Sequence, residues 1–224
     1  MARKAVRVAR RAGRRLPASE RRRELVRVAA DLMTSRGVDG VQFAEVAAAA
    51  GVTRPLVYRF FPNRQALIIA VLEDFTAELT SRFGHGFMRS IPGSNVEVAR
   101  VFVEALCDLI DERGAGPWHL LDSKGPDPEI ARIGQKLVDE LMAPWRARLV
   151  EAIEISPRES MTLARMIVAA GRAAIELWSA GSLTRAEVVR DTTRGVSALV
   201  EGFAAGPREK AARGERRFGR KRSP

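Results

Sequence analysis

Apolar residues recur every three or four positions along most of the chain, and strict alternation is scarce, so the pattern predicts an all-α protein. Leu25, Val28, Ala29, Leu32 and Met33 fall on one face of a helix over about residues 19–35, with Gly37 placed to end it. A short helix over residues 43–50 turns Phe43, Val46, Ala47 and Ala50 inward and stops at Gly51. A third begins at Thr53, a good N-cap type. Pro55 is tolerated there because first-turn amides have no intrahelical acceptor to lose. A fourth starts at Asn63 and carries Leu67, Ile68, Val71, Leu72, Phe75 and Leu79 on its apolar face.

Residues 84–93, rich in Gly and with Pro92 near their end, read as a linker. Ser94-x-x-Glu97 has the spacing of a capping box and opens a helix to about residue 113. Gly116 and Pro117 break the stretch 114–125, which holds a short helix with Trp118 and His119. Asp127-Pro128 opens a long helix towards residue 155, with a kink expected at Pro144. Ser156-Pro157-x-Glu159 and Thr184-x-x-Glu187 open the last two helices, to about residues 180 and 203, and Leu183 with Val188 is placed as a hydrophobic staple. The sequence contains no internal repeat.

Composition narrows the class. The 224 residues are 46% hydrophobic and 29% charged, ordinary for a globular protein with a proper core. A single cysteine, Cys107, excludes an intramolecular disulfide and cannot alone form a thiolate metal site. No apolar run reaches the roughly 18 residues of a spanning helix, and a soluble, cytoplasmic protein is expected. The net charge of +11 is uneven: residues 1–23 carry +9 and residues 208–222 carry +6, leaving −4 for the rest. Basic ends on a mildly acidic body suit a polyanion, since each Lys or Arg that neutralises a phosphate releases a counterion. Solvated, disordered ends are the plainer reading of the same charge.

The segment AGVTRPLVYRFFPNRQAL, residues 50–67, sharpens that expectation. Two short helices joined by a tight glycine turn, with a longer helix in front, describe a helix-turn-helix. Val46, Ala47 and Ala50 allow close packing, Gly51 permits a positive φ, Val52 plugs the core and Thr53 caps the next helix. That helix then offers Thr53, Arg54, Leu56, Tyr58 and Arg59 on or near its outer surface, where a recognition helix reads a major groove.

The wider stretch FAEVAAAAGVTRPLVYRFFPNRQALIIAVL resembles the DNA-binding signature of the TetR/AcrR family of one-component transcriptional regulators. Val46-Ala47, Ala50-Gly51-Val52, Thr53, Arg54, Pro55, Val57-Tyr58, Phe61, Asn63 and Leu67 all fit the family pattern, which covers about 45 residues; the rest of the chain matches only in helix number, length and order. Three positions depart from it. Gln42 stands where Thr or Ser usually caps the second helix and contacts a phosphate, Arg64 replaces a Lys, and Gln65 replaces an acidic residue. The resemblance implies phosphate contacts for Thr53, Tyr58 and Arg64, with Gln42 at the edge of the interface. It implies groove contacts for Arg54, Leu56 and Arg59, and an apolar contact, such as a thymine methyl, for Pro55. Phe61 is read as core; Phe60 stays open. Arg10, Arg11, Arg14 and Arg15, just ahead of the first helix, could follow a minor groove or backbone.

The chain then divides into a basic disordered arm (1–18), a helix-turn-helix domain (19–65), a helical ligand-binding and dimerisation body (66–205) and a basic disordered tail (206–224). The last two helices form the natural dimer pair, with Ala170 and Ala174 for close approach and Leu177, Trp178, Val196 and Val200 for bulk. An effector cavity is expected among the middle helices, lined by Phe102, Leu106, Trp118, His119, Leu141, Trp145, Met166 and Arg172. Arg172 either pairs with Glu176 or meets an acidic ligand. His119 is read as a pocket-edge residue rather than a metal ligand, and no cofactor or metal is expected. No Gly-rich phosphate loop, HExxH, nucleophile elbow or Cys–His pairing supports an enzyme. The expectation is a homodimeric, ligand-responsive repressor acting on a palindromic site in double-stranded DNA. The alternative is a nonspecific nucleic-acid-binding helical protein driven by its basic ends.

Overall fold

The computed structural model describes residues 16–89, 94–121 and 127–205, the side chains of 85–89 excepted. Among these, the regular structure is helical: α1 (Ala18–Arg36), α2 (Phe43–Ala50), α3 (Arg54–Phe60), α4 (Arg64–Arg89), α5 (Asn95–Arg113), α6 (Gly116–Leu120), α7 (Pro128–Ala152), α8 (Pro157–Ser179) and α9 (Arg185–Ala204), with a single 3₁₀ turn at Val38–Gly40. The predicted all-α architecture holds, with an N-terminal helix-turn-helix head and a helical body behind it.

The head is α1, α2 and α3 packed on the start of α4. Leu25, Val26, Ala29 and Ala30 of α1, Val46 of α2, Val57 of α3 and Leu67, Ile68 and Val71 of α4 supply its buried apolar side chains. In the body, α5 lies against α9 and α4, α7 against α4 and α8, and α8 against α9. Helix α4 belongs to both, so the head is mounted on the body by a continuous 26-residue helix. The residues read as a linker are in part the end of that helix: it runs through Gly84 to Arg89, while residues 90–93 lie outside those described. Gly84 and Gly86 each cost the helix only about 1 kcal/mol, and the buried Leu79 and Phe83 just before them hold it against α5.

The caps of the body helices follow the sequence except at α5. At α8 and α9 the boxes are reciprocal: Ser156 and Thr184 accept from the amides of Glu159 and Glu187, whose carboxylates accept from the cap amides in return. At α5 only half of the box forms. Ser94 accepts from the Glu97 amide, but the Glu97 carboxylate is held by Arg100, whose Nε donates to it at 3.0 Å. Asp127 caps α7 by accepting from the amides of Glu129 and Ile130, and α7 runs without interruption past Pro144.

Candidate nucleic-acid interface

The turn between α2 and α3 is set by Gly51, at φ 65° and ψ 33°, left-handed values that a side chain resists. A Cβ there would meet nothing within 4 Å, so backbone conformation rather than space selects glycine. The Val52 amide donates back to the Ala47 carbonyl at 2.9 Å and closes the turn. Val57 and Phe61 are buried and anchor α3 from beneath, with the Arg22 guanidinium 5.2 Å from the Phe61 ring centroid. Phe60, left open by the sequence, is half-buried against the same core.

With that face pinned, the opposite face of α3 is exposed: Thr53, Arg54, Pro55, Tyr58 and Arg59 lie on the surface and Leu56 at its margin. Tyr58 is 48% exposed, the largest aromatic surface of the head, although its ring stands edge-on to Phe43 at 4.7 Å. Arg54 Nη2 donates to the Tyr58 hydroxyl at 3.2 Å, which holds two cap-proximal polar groups together on this face. Thr53 takes the N-cap position with extended backbone but makes no side-chain capping bond, so the expected cap is one of position only. Gln42 likewise caps α2 without a side-chain bond; its Nε2 donates to the Asp39 carbonyl at 3.2 Å instead.

Arg64 sits at the start of α4, as expected, but its guanidinium works within the protein. Nε donates to the Val41 carbonyl at 2.9 Å and Nη2 to the Val38 carbonyl at 2.5 Å, with Asp39 at 3.6 Å. It thereby clamps the strand of chain that leads into α2 onto the first turn of α4. Gln65 was read only as the loss of an acidic residue; here its Nε2 reaches both carboxylate oxygens of Asp127 at 2.9 and 3.0 Å. An acidic side chain at that place would face Asp127 with like charge, so the departure from the family pattern is matched by its partner 62 residues away. The accepted hydrogen bonds, first from the Ile130 amide and then from Gln65, hold the Asp127 carboxyl below its ordinary range despite partial desolvation. Arg10, Arg11, Arg14 and Arg15 lie outside the described residues.

In the body a cavity of about 30 Å³ is walled by α4 to α9. Of the residues expected around an effector cavity, Phe102, Leu106, Trp118 and Trp145 line this one, and Leu141, Met166, His119 and Arg172 lie away from it. The difference is angular. Adjacent residues on a helix point about 100° apart, so Met166 emerges 43% exposed on the outer face while Ile167 and Val168 face the cavity. His119 likewise leaves the wall that Trp118 forms and faces a groove beside Met33, Thr34 and Gly114. Burial lowers its pKa; Glu176 opposes the shift and Arg172 adds to it. Arg172 donates to the Leu121 carbonyl and so fastens the end of α6. Thr192 of α9, which the sequence reading passed over, lines the cavity. No group of three or more potential metal-ligating side chains occurs among the described residues.

The proposed dimer residues separate into two sets. Ala170 and Leu177 are exposed, and Ala174 and Trp178 half-buried, on the outer side of α8. Val196 and Val200 point into the chain's own core, and Val196 lines the cavity, because α9 packs between α5 and α8; they are unavailable to a second copy. The outer face of α9 carries Ala198 and Gly202 exposed, with Gly195 and Leu199 half-buried.

A glycine turn between two short helices, the second anchored beneath and bare above, defines a helix-turn-helix protein with a separate all-helical body. Residues 25–71 match the model of the bacterial regulatory proteins of the tetR family. The HTH-type transcriptional activator FasR of Mycolicibacterium smegmatis is 32% identical over 106 residues, 47% of this chain and 48% of FasR. An uncharacterized HTH-type transcriptional regulator of Mycobacterium tuberculosis is 38% identical over 55 residues, 25% of this chain and 29% of that protein. The chain thus matches about half the length of the first of these curated relatives and under a third of the second. The crystal structure of a tetR-family transcriptional regulator from Streptomyces coelicolor superposes with a TM-score of 0.65 at 26% identity, over 85% of this chain and 84% of that one. Residues 25–71 thus carry a helix-turn-helix domain of the TetR family, and the relatives the chain matches are transcriptional regulators.

Proposed function

We propose that the protein is a homodimeric regulator of transcription that binds a palindromic DNA site through α3 and is controlled by a small molecule held in its helical body. The observation that carries this reading is the division of α3 into a buried anchoring face and an exposed face with Thr53, Arg54, Pro55, Tyr58 and Arg59. Arg54 and Arg59 are assigned to base edges, where a bidentate Arg–guanine pair is the commonest specific contact. Thr53 and Tyr58 are assigned to phosphates. Arg64 is assigned a positioning role, since two of its donors are spent on carbonyls of the head. Residues 19–65 form the DNA-reading unit and 66–205 the effector and dimer unit, with α4 passing through the boundary. The exposed stripe of α8 with the small residues of α9 supplies the dimer surface, and two half-sites need two heads. No helix of the described residues is long and apolar enough to cross a membrane, which suits a cytoplasmic regulator. Repression is the proposed sign, by occupancy of the site until effector changes the spacing of the heads. A reporter assay reads that sign directly.

Selection of bound sequences from random DNA at moderate salt tests the reading. The expected product is a two-fold symmetric motif, retained with weaker affinity after deletion of residues 1–17. Recovery of no symmetric motif, with affinity falling steeply in salt for every sequence, would instead establish nonspecific binding by the basic ends.

A further inference from the structure

Helix α1 carries Leu25, Val26, Ala29 and Met33 on its buried face. Position 22 lies three and four residues before Leu25 and Val26 and so shares that face. The pattern calls for an apolar residue there, and the chain has Arg22. At the start of α1 this face leaves the core of the head: Arg22 is exposed, and its guanidinium lies over the Phe61 ring, 5.2 Å from the centroid. Phe61 directly follows α3, so the register of α1 brings a cation to the C-terminal end of the reading helix.

Shielding Phe61 explains the aliphatic stem of Arg22 and not its charge, because such a stem covers apolar surface while the head keeps its need for polar partners. No hydrogen bond or ion pair holds Arg22 among the described residues, whereas its neighbour Arg21 pairs with Glu24. The body treats its arginines differently: Arg82, Arg100, Arg113 and Arg185 each meet one or two carboxylates. A guanidinium resting on a ring still presents N–H donors in its own plane, the geometry of bidentate donation to phosphate, which an ammonium lacks.

Position supports the same use. Helix α3 has seven residues and spans about 10 Å, and a major groove is about 12 Å wide. A duplex read by α3 therefore brings the phosphates that border the groove within side-chain reach of the ends of that helix. Arg64, three residues beyond Phe61, donates to the Val38 and Val41 carbonyls. Arg22 is the cation at this end of α3 whose donors remain open.

We propose that Arg22 is a phosphate contact of the DNA-binding surface, held in place on Phe61 and filling the role that Arg64 gives up to the protein interior. The proposal rests on the DNA-binding reading above and extends that surface from α3 to α1.

Fluorescence anisotropy on the full-length protein tests it, with two duplexes of equal length: one carrying the motif recovered by selection, the other unrelated. The slope of log affinity against log salt is expected to become shallower in Arg22→Gln by about 0.9 for each head bound. The advantage of wild type over the variant then shrinks about threefold to fourfold per head between about 50 and about 200 mM salt. Both duplexes lose the same factor, since a phosphate carries no sequence information. Arg22→Met keeps an unbranched stem over Phe61 and is expected to show the same shallower slope, while Arg22→Lys keeps the charge and the wild-type slope. Arg27→Gln makes the same change of charge on the side of α1 beside Asp31 and is expected to leave the slope unchanged. A wild-type slope in Arg22→Gln and Arg22→Met, an equal change in Arg27→Gln, or a loss confined to the motif duplex would overturn the assignment. A recovered motif with an unaltered slope removes Arg22 alone; recovery of no motif removes the regulator reading and leaves the slope on the unrelated duplex as the test of Arg22.

Discussion

Tyr58 and Gly51 mark the two kinds of residue on which the head depends. Tyr58→Phe keeps the ring edge-on to Phe43 and removes an exposed hydroxyl together with the bond it accepts from Arg54. Its expected effect is a loss of about tenfold in DNA affinity, from one phosphate hydrogen bond, with stability unchanged within about 0.5 kcal/mol. Fluorescence anisotropy and urea denaturation of the same variant separate the two. Gly51→Ala adds a Cβ that touches nothing, so its cost is conformational alone, about 1–2 kcal/mol by urea denaturation. These residues were legible because their roles are local: period, turn and cap all lie within a dozen positions. Arg64 was legible in place and not in partner. Its acceptors, Val38 and Val41, stand 26 and 23 residues earlier, and only the folded 3₁₀ turn brings them to the first turn of α4.

Among the helices, those with paired signals at the start were read well, and those decided by tertiary packing were not. The reciprocal boxes of α8 and α9 are four-residue patterns that form as written. The run of α4 past Gly84 is not a local matter, because packing on α5 and α7 outweighs a glycine's propensity. The N-terminus of α7 carries a pH prediction. Hydrogen bonds hold the Asp127 carboxyl below its ordinary value. A group whose pKa is depressed on folding stabilises the fold above its unfolded pKa, near 3.8, and that contribution is lost as pH falls through the lower folded value. The stability difference between wild type and Asp127→Ala is therefore expected to be constant at neutral pH and to shrink in acid below about pH 4, as thermal unfolding across a pH series would record. Helix α8 carries a second prediction. Leu177→Arg places a charge at the C-terminal end of its exposed apolar stripe and is expected to give a folded monomer by sedimentation. Val196→Arg, inside the core, is expected to prevent folding. A dimeric Leu177→Arg protein would remove the outer face of α8 from the interface.

Across the whole molecule, the cavity and the reading helix are joined through α6. Trp118 lines the cavity, while the start of α6 rests on the end of α1. The Gly116 amide donates to Thr34 Oγ1 at 3.2 Å. A Cβ on Gly116 would stand 2.6 Å from the Thr34 nitrogen and 2.8 Å from the Met33 carbonyl carbon, and one on Gly114 would overlap the Thr34 side chain. Glycine at both places thus permits a backbone contact between body and head that any side chain would pry apart. Helix α1 packs in turn on α2 and α4, so a guest that pushes Trp118 outward moves the support of the helix-turn-helix. Gly116→Ala wedges the same joint open without a ligand. Its expected result is a folded dimer whose ligand-free affinity for the selected DNA site falls towards that of effector-bound wild type, with little further response to effector, measured by anisotropy at fixed salt. Thr34→Val, which removes the hydrogen bond and keeps the shape, should retain most of the response. Full DNA affinity and full response in Gly116→Ala would instead remove the α1–α6 joint from the coupling and leave α4 itself and the contact of Gln65 with Asp127 at the foot of α7 to carry it.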